Sequence, residues 1–152
     1  MNFREVIQKL SNLFGFELEN QENSCQFAIG DVDVLLQEAG DKMLMIADLG
    51  AECPDEALFT RFLAANYAYQ ETSGSSFARN PETGHMALQR YDWMDRLDAD
   101  MLAKYLEEFA EVALKWRGII TGKDALQPKD GTAGEDARVT DDFDFKYLSL
   151  MV

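Results

Sequence analysis

The residues able to do chemistry are few and scattered. His85 is the only histidine, and the two cysteines, Cys25 and Cys53, stand far from it and from each other. Nucleophilic catalysis by a thiol needs a base within hydrogen-bond reach, and no known spacing places one here. The cysteines also match no zinc or redox spacing, so they read as reduced thiols. Ser73, Ser75 and Ser76 surround Gly74 without the elbow pattern that exposes a nucleophilic serine. Gly74 also lacks the Lys and Ser/Thr of a phosphate-binding loop. The pairs Asp31/Asp33, Asp98/Asp100 and Asp142/Asp144 offer oxygen ligands, but none fits a calcium loop. They read as solvated turn and cap carboxylates. Met43 and Met45 suit a core first and an adaptable binding surface second. The expectation is a protein with no catalytic residue, no metal site and no cofactor, whose work is binding.

Composition narrows the partner. The chain has 152 residues, enough for one domain, and 47% of them are apolar, enough for a core. Its 28 acidic and 14 basic residues leave a net charge of −14. Phosphate backbones and anionic membrane surfaces both need clustered Lys and Arg, so neither is an expected partner. A basic protein partner, or solubility and self-avoidance, fits this charge better. Arg4, Glu5 and Lys9 interrupt the N-terminal apolar positions, so no export signal is expected. No run approaches the ~20 apolar residues of a membrane span. The expected location is cytoplasmic.

The stretch Leu58 to Tyr91 organises the elements: a helix to Gln70, a polar break at Thr72 to Ser75, and a β-hairpin. The hairpin turns at Asn80-Pro81-Glu82-Thr83-Gly84, with Phe77 and Leu88 inward. Before it, Asn2 to Phe14 carries apolar residues at helical spacing, with Asn2 and Glu5 placed to cap its start and Gly15 its end. Glu19 to Ser24 reads as a polar turn. Three strands follow, Cys25 to Ile29, Val32 to Glu38 and Met43 to Leu49, joined by turn residues at Gly30-Asp31 and Ala39 to Lys42. Asp92 to Leu97 reads as a loop. Asp98 caps a last helix, Ala99 to Arg117, which Gly118 ends. The fold class is α+β, in the order α-β-β-β-α-β-β-α, with a twisted antiparallel sheet packed with helices. Residues 1–118 form the domain and 119–152 a linker and apolar tail. In that tail Phe143, Phe145 and Tyr147 alternate with Asp144 and Lys146, followed by Leu148 and Leu150. The alternation marks a docking segment.

Two-residue turns make the strand register calculable: Ile29 faces Val32, Phe27 faces Val34, Leu36 faces Met45 and Leu35 faces Ile46. Alternate residues point to opposite faces. One face then carries Cys25, Phe27, Ile29, Val32, Val34, Leu36, Met43, Met45, Ala47 and Leu49, and is the core face. The other has Leu35, Leu44 and Ile46 at its centre and polar residues at its rim. A solvated face should alternate cleanly to polar. Either a second helix covers these three residues, or they form an exposed protein-binding patch. Ala28, Leu35, Leu44 and Ile46 are the candidate binding residues.

This order of elements in an acidic chain resembles the class I type III secretion chaperones of the Tir chaperone family. The resemblance rests on Leu13-Phe14-Gly15-Phe16, Ala47-Asp48-Leu49-Gly50 and Leu63-Ala64-Ala65-Asn66-Tyr67. It also rests on Gly84 to Arg90, Leu106-Glu107-Glu108-Phe109 and Trp116-Arg117. It implies a cytoplasmic homodimer without ATPase activity that keeps the N-terminal region of a secreted effector export-competent. It also implies a dimer interface on the second helix and hairpin, here at Ala65, Tyr69, Ser76, Ala78, Ala87 and Gln89. The alternative is a non-enzymatic regulatory binding module of the same fold with no export role.

Overall fold

A computed structural model describes residues 2–122. Helix α1 (Phe3–Phe14) starts at a reciprocal cap. The Asn2 side chain accepts from the Glu5 amide at 2.9 Å, and the Glu5 carboxylate accepts from the Asn2 amide at 3.2 Å. Both donors are orphans of the first helical turn, so the pair satisfies them locally. Gly15 ends the helix at φ 76°, a backbone region that glycine enters without steric cost.

Six strands follow in one antiparallel sheet: β1 (Asn20–Gln21), β2 (Ser24–Ile29), β3 (Val32–Ala39), β4 (Lys42–Glu52), β5 (Ser76–Arg79) and β6 (His85–Trp93). Their order in space is β1-β2-β3-β4-β6-β5. Helix α2 (Glu56–Ala65) lies between β4 and β5 in the chain, and α3 (Ala99–Ile120) follows β6. The expected element order is present, with the short strand β1 added where a polar turn was expected. All four pairs calculated from turn length are observed: Ile29 with Val32, Phe27 with Val34, Leu36 with Met45 and Leu35 with Ile46.

The core forms on one side of this sheet. Val34, Leu36, Met43, Met45, Ala47, Leu49 and Leu88 are buried together with Phe3, Val6, Ile7 and Leu10 of α1 and Leu102, Leu106, Phe109 and Trp116 of α3. Helix α2 joins the same core through Phe62 and Ala65. Trp116 is its anchor: the ring centroids of Trp116, Phe62 and Phe77 lie 4.8–4.9 Å apart in every pairing. Asp98 caps α3 by accepting from the Met101 amide at 2.8 Å.

Several boundaries differ from expectation, among them β4, which runs to Glu52 rather than Leu49. Helix α2 stops at Ala65 rather than Gln70, and a single 3-10 turn (Tyr67–Tyr69) follows. Strand β6 continues to Trp93 through residues expected to begin a loop. Helix α3 passes through Gly118, buries Ile120, and gives way at Thr121 and Gly122, which takes φ 77°. The tail candidates Phe143, Phe145, Tyr147, Leu148 and Leu150 lie outside the described residues.

Cys25 is buried on the core face, and burial pushes its thiol up to about 11, because desolvation disfavours the thiolate. Cys53 is half-buried near the surface, with its thiol donating to the Asp55 carbonyl. Titration of the folded chain with a thiol reagent at pH 8 should therefore modify Cys53 and spare Cys25. In denaturant both should react. Rapid reaction of Cys25 in the folded chain would contradict its placement.

Candidate protein-binding site

The sheet face opposite the core is assembled by register alone. One row runs across five strands: Gln26 (β2), Leu35 (β3), Ile46 (β4), Gln89 (β6) and Ser76 (β5). The next row brings Gln37, Leu44 and Tyr91 together, and Lys42 stands beside Trp93. On the other flank Ala28 pairs with Asp33, while Asp48, Ala87 and Ala78 continue the surface toward β5. None of Leu35, Leu44 and Ile46 takes part in the core that the three helices close. The reading in which the second helix covers them therefore fails: α2 spends its buried residues on Phe77 and Trp116, on the opposite side.

Leu35, Leu44 and Ile46 are half-buried among their neighbours, whereas Tyr91 is 54% and Trp93 43% exposed. The Lys42 ammonium lies 4.4 Å from the Trp93 ring centroid, a cation–π contact that holds the indole on this surface. At the rim, His85 Nδ1 is 3.0 Å from Asp48 Oδ1, both groups being substantially exposed. That pair is a surface contact with no nucleophile joined to it. Among the described residues no group of three or more His, Cys, Asp or Glu side chains could hold a metal ion. An apolar strip with a polar rim, set on rigid strands, can exclude water from a partner's apolar side chains.

Ala28, Leu35, Leu44 and Ile46 thus share one face with Ser76, Ala78, Ala87 and Gln89. The two other interface candidates lie elsewhere. Ala65 is buried in the core of its own chain, which leaves it no surface to offer. Tyr69 is exposed on the loop after α2. Sequence reasoning missed Tyr91 and Trp93, although the alternation Gln89, Tyr91, Trp93 continues the strand pattern. It did not name as interface residues Leu63, 61% exposed, or Tyr67, 85% exposed, which with Tyr69 make a second exposed apolar stretch along the chain at the end of α2.

Local hydrogen bonds explain that second patch. The Asn66 side chain donates to the Phe77 carbonyl at 3.2 Å and accepts from the Phe77 amide at 2.7 Å. This fixes the end of α2 to β5 and stops the helix. Ala68, Tyr69 and Ser73 then take positive φ, between 50° and 56°, a strained conformation for residues with a Cβ. Arg90 restrains the loop by donating to the Ser73 carbonyl at 3.0 Å, while its guanidinium binds both oxygens of Asp92 and lies 3.9 Å from the Tyr105 ring centroid. Replacing Asn66 with Ala removes both bonds to Phe77 and should cost about 2 kcal/mol. The check is the urea midpoint followed by far-UV circular dichroism. An unchanged midpoint would show that the clamp is not needed.

The model of the Tir chaperone protein (CesT) family matches residues 5–117. No curated protein matches the sequence. Among solved structures, a chain of the HopA1-SchA chaperone-effector complex is similar at 15% identity and TM-score 0.65, over 76% of this chain and 92% of that one. A chain of the ExsC-ExsE complex is similar at 17% identity and TM-score 0.67, over 79% and 97%. One from the ExoT-SpcS complex of Pseudomonas aeruginosa is similar at 21% identity and TM-score 0.61, over 76% and 98%. At these identities the structural likeness establishes the fold, and the family model, which reaches from within α1 into α3 and takes in the whole sheet, establishes the relationship. The chain belongs to the Tir chaperone protein (CesT) family.

Proposed function

We propose that this protein is a cytoplasmic type III secretion chaperone. It binds the N-terminal region of an exported effector as a homodimer and holds that region ready for export without hydrolysing ATP. The observation that carries this reading is the strip of Leu35, Ile46, Leu44, Tyr91 and Trp93, which none of the described helices covers. Family membership supports it, as does the likeness of the fold to a chain of a chaperone–effector complex. An extended segment can lay alternate apolar side chains along such a strip, while main-chain pairing adds affinity that is indifferent to sequence. The second subunit is proposed to cover Leu63, Tyr67 and Tyr69 together with Ser76, Ala78, Ala87 and Gln89. The small side chains of Ser76, Ala78 and Ala87 permit close approach there.

Native mass spectrometry of the protein purified from its host, followed by limited proteolysis, tests the reading. Expected is a species containing two copies of this chain and one bound protein, of which an N-terminal segment survives digestion. A strictly monomeric chain, or a partner held through a folded domain, would overturn it.

A further inference from the structure

The two edges of the sheet are not equivalent. At the β5 edge, the Asn66 side chain occupies both backbone groups of Phe77. At the other edge, β1 covers only Ser24 and Cys25, leaving Gln26 to Ile29 of β2 without a backbone neighbour on that side among the described residues. An open edge of this kind invites pairing by another strand, and folded proteins usually cover it. Beside it lie aromatic rings that complete only part of a core. Phe14 stacks on Phe16 with centroids 5.9 Å apart and meets Phe27 at 6.2 Å, and Phe16 and Phe27 remain half-buried.

Helix α3 delivers the rest of the chain to this edge. Arg117 donates to the carbonyl of Asp31, in the turn between β2 and β3, so the last turns of α3 are tied to the end of β2. Thirty residues, 123–152, follow. Twenty residues, 123–142, separate Gly122 from Phe143, and even a random coil of that length spans about 25 Å, ample for a return to a strand whose end is already held next to α3. The segment it would deliver alternates Phe143, Phe145 and Tyr147 with Asp144 and Lys146. This is the period of a strand with one apolar and one polar face.

We infer that the chain's own segment Phe143–Leu150 pairs as an additional strand on the open edge of β2, over Gln26 to Ile29. In this arrangement Phe143, Phe145 and Tyr147 cover Phe16 and Phe27 on the core side, and Asp144 and Lys146 join Gln26 and Ala28 on the outer side. The tether supplies the segment at an effective concentration of about millimolar, so pairing within one chain outcompetes pairing between chains at micromolar protein. The inference is independent of the effector reading.

Hydrogen exchange on the full chain tests it. Alternate amides between Gln26 and Ile29 are expected to be protected. In the full-length variant carrying Phe143→Asp, Phe145→Asp and Tyr147→Asp, they should exchange at least tenfold faster, while the amides of Leu102 to Trp116 keep their protection. A synthetic peptide of residues 141–152 added to that variant should restore the protection. Equal exchange at Gln26 to Ile29 in both proteins would overturn the inference. Protection that disappears on dilution of the wild-type chain would also overturn it, because the strand would then come from a second copy.

Discussion

Ile46→Asp is expected to weaken binding of an effector's N-terminal segment by about 3 kcal/mol, roughly a hundredfold, while the chain stays folded. Ile46 sits at the centre of the uncovered row, between Leu35 and Gln89. In the free protein its side chain keeps contact with water, so a carboxylate there remains hydrated. In the complex the same carboxylate would be stripped of water against an apolar anchor with no cation to pair with, and that desolvation is the source of the loss. Leu44→Asp, one row away beside Tyr91, should act the same way. Met45 lies between them in sequence but points into the core and is fully buried. Met45→Asp should therefore unfold the chain. Titration calorimetry with the effector segment, alongside thermal melts of all three variants, separates the two outcomes. If Ile46→Asp unfolds the protein as Met45→Asp does, the outer face is part of the core.

Trp116→Ala carries the largest stability loss expected of a truncation to alanine, about 4 kcal/mol. The indole is fully buried and packs against both Phe62 of α2 and Phe77 of β5. Arg61 also packs over its face, 5.3 Å from the centroid. Removing it leaves a cavity where three elements meet, and a loss of that size is a large share of a domain's roughly 5–15 kcal/mol of stability. Because Phe62 and Ala65 are the only fully buried residues of α2, with Leu58 and Phe59 partly buried against the core, the helix should loosen first and take Leu63, Tyr67 and Tyr69 with it. Dimer formation should then fail at temperatures where the sheet still holds. Urea unfolding monitored by circular dichroism, with light scattering for mass, reads both effects. A loss below about 1 kcal/mol would contradict the anchor role, since a buried aromatic truncation normally exceeds that.

Most of the sheet was legible because its determinants are local. The Gly30-Asp31 turn sets the β2–β3 register, and once it is set, side-chain alternation sorts every residue to a face. The second connection, Ala39 to Lys42, behaves likewise, with Gly40 in the left-handed conformation its turn requires. The first helix was legible because its cap and its stripe agree. What escaped was decided by partners distant in sequence. Residues 66–70 continue a helical pattern, but Asn66 satisfies the backbone of Phe77, eleven positions on, and the helix ends there. Gly118 looked like a helix stop, yet burial of Ile120 outweighs the helical penalty of one glycine, about 1 kcal/mol. Strand β1 is two residues long and has no pattern of its own to read. Trp93 lay beyond the expected strand end at Tyr91: once β6 is extended by pairing with Lys42 to Leu44, Tyr91 and Trp93 both fall on the outer face. Whether α2 lies over Leu35, Leu44 and Ile46 could not be read without knowing where it packs, and that depends on Phe77 and Trp116 from two other elements.

Hydrogen exchange of this protein with and without an effector's N-terminal segment shows where that segment binds. New protection is expected in β3, β4 and β6 around Leu35, Leu44, Ile46 and Tyr91, with the amides of α1 and α3 unchanged. Protection confined to the helical side, with the outer sheet face exchanging as in the free chain, would contradict it.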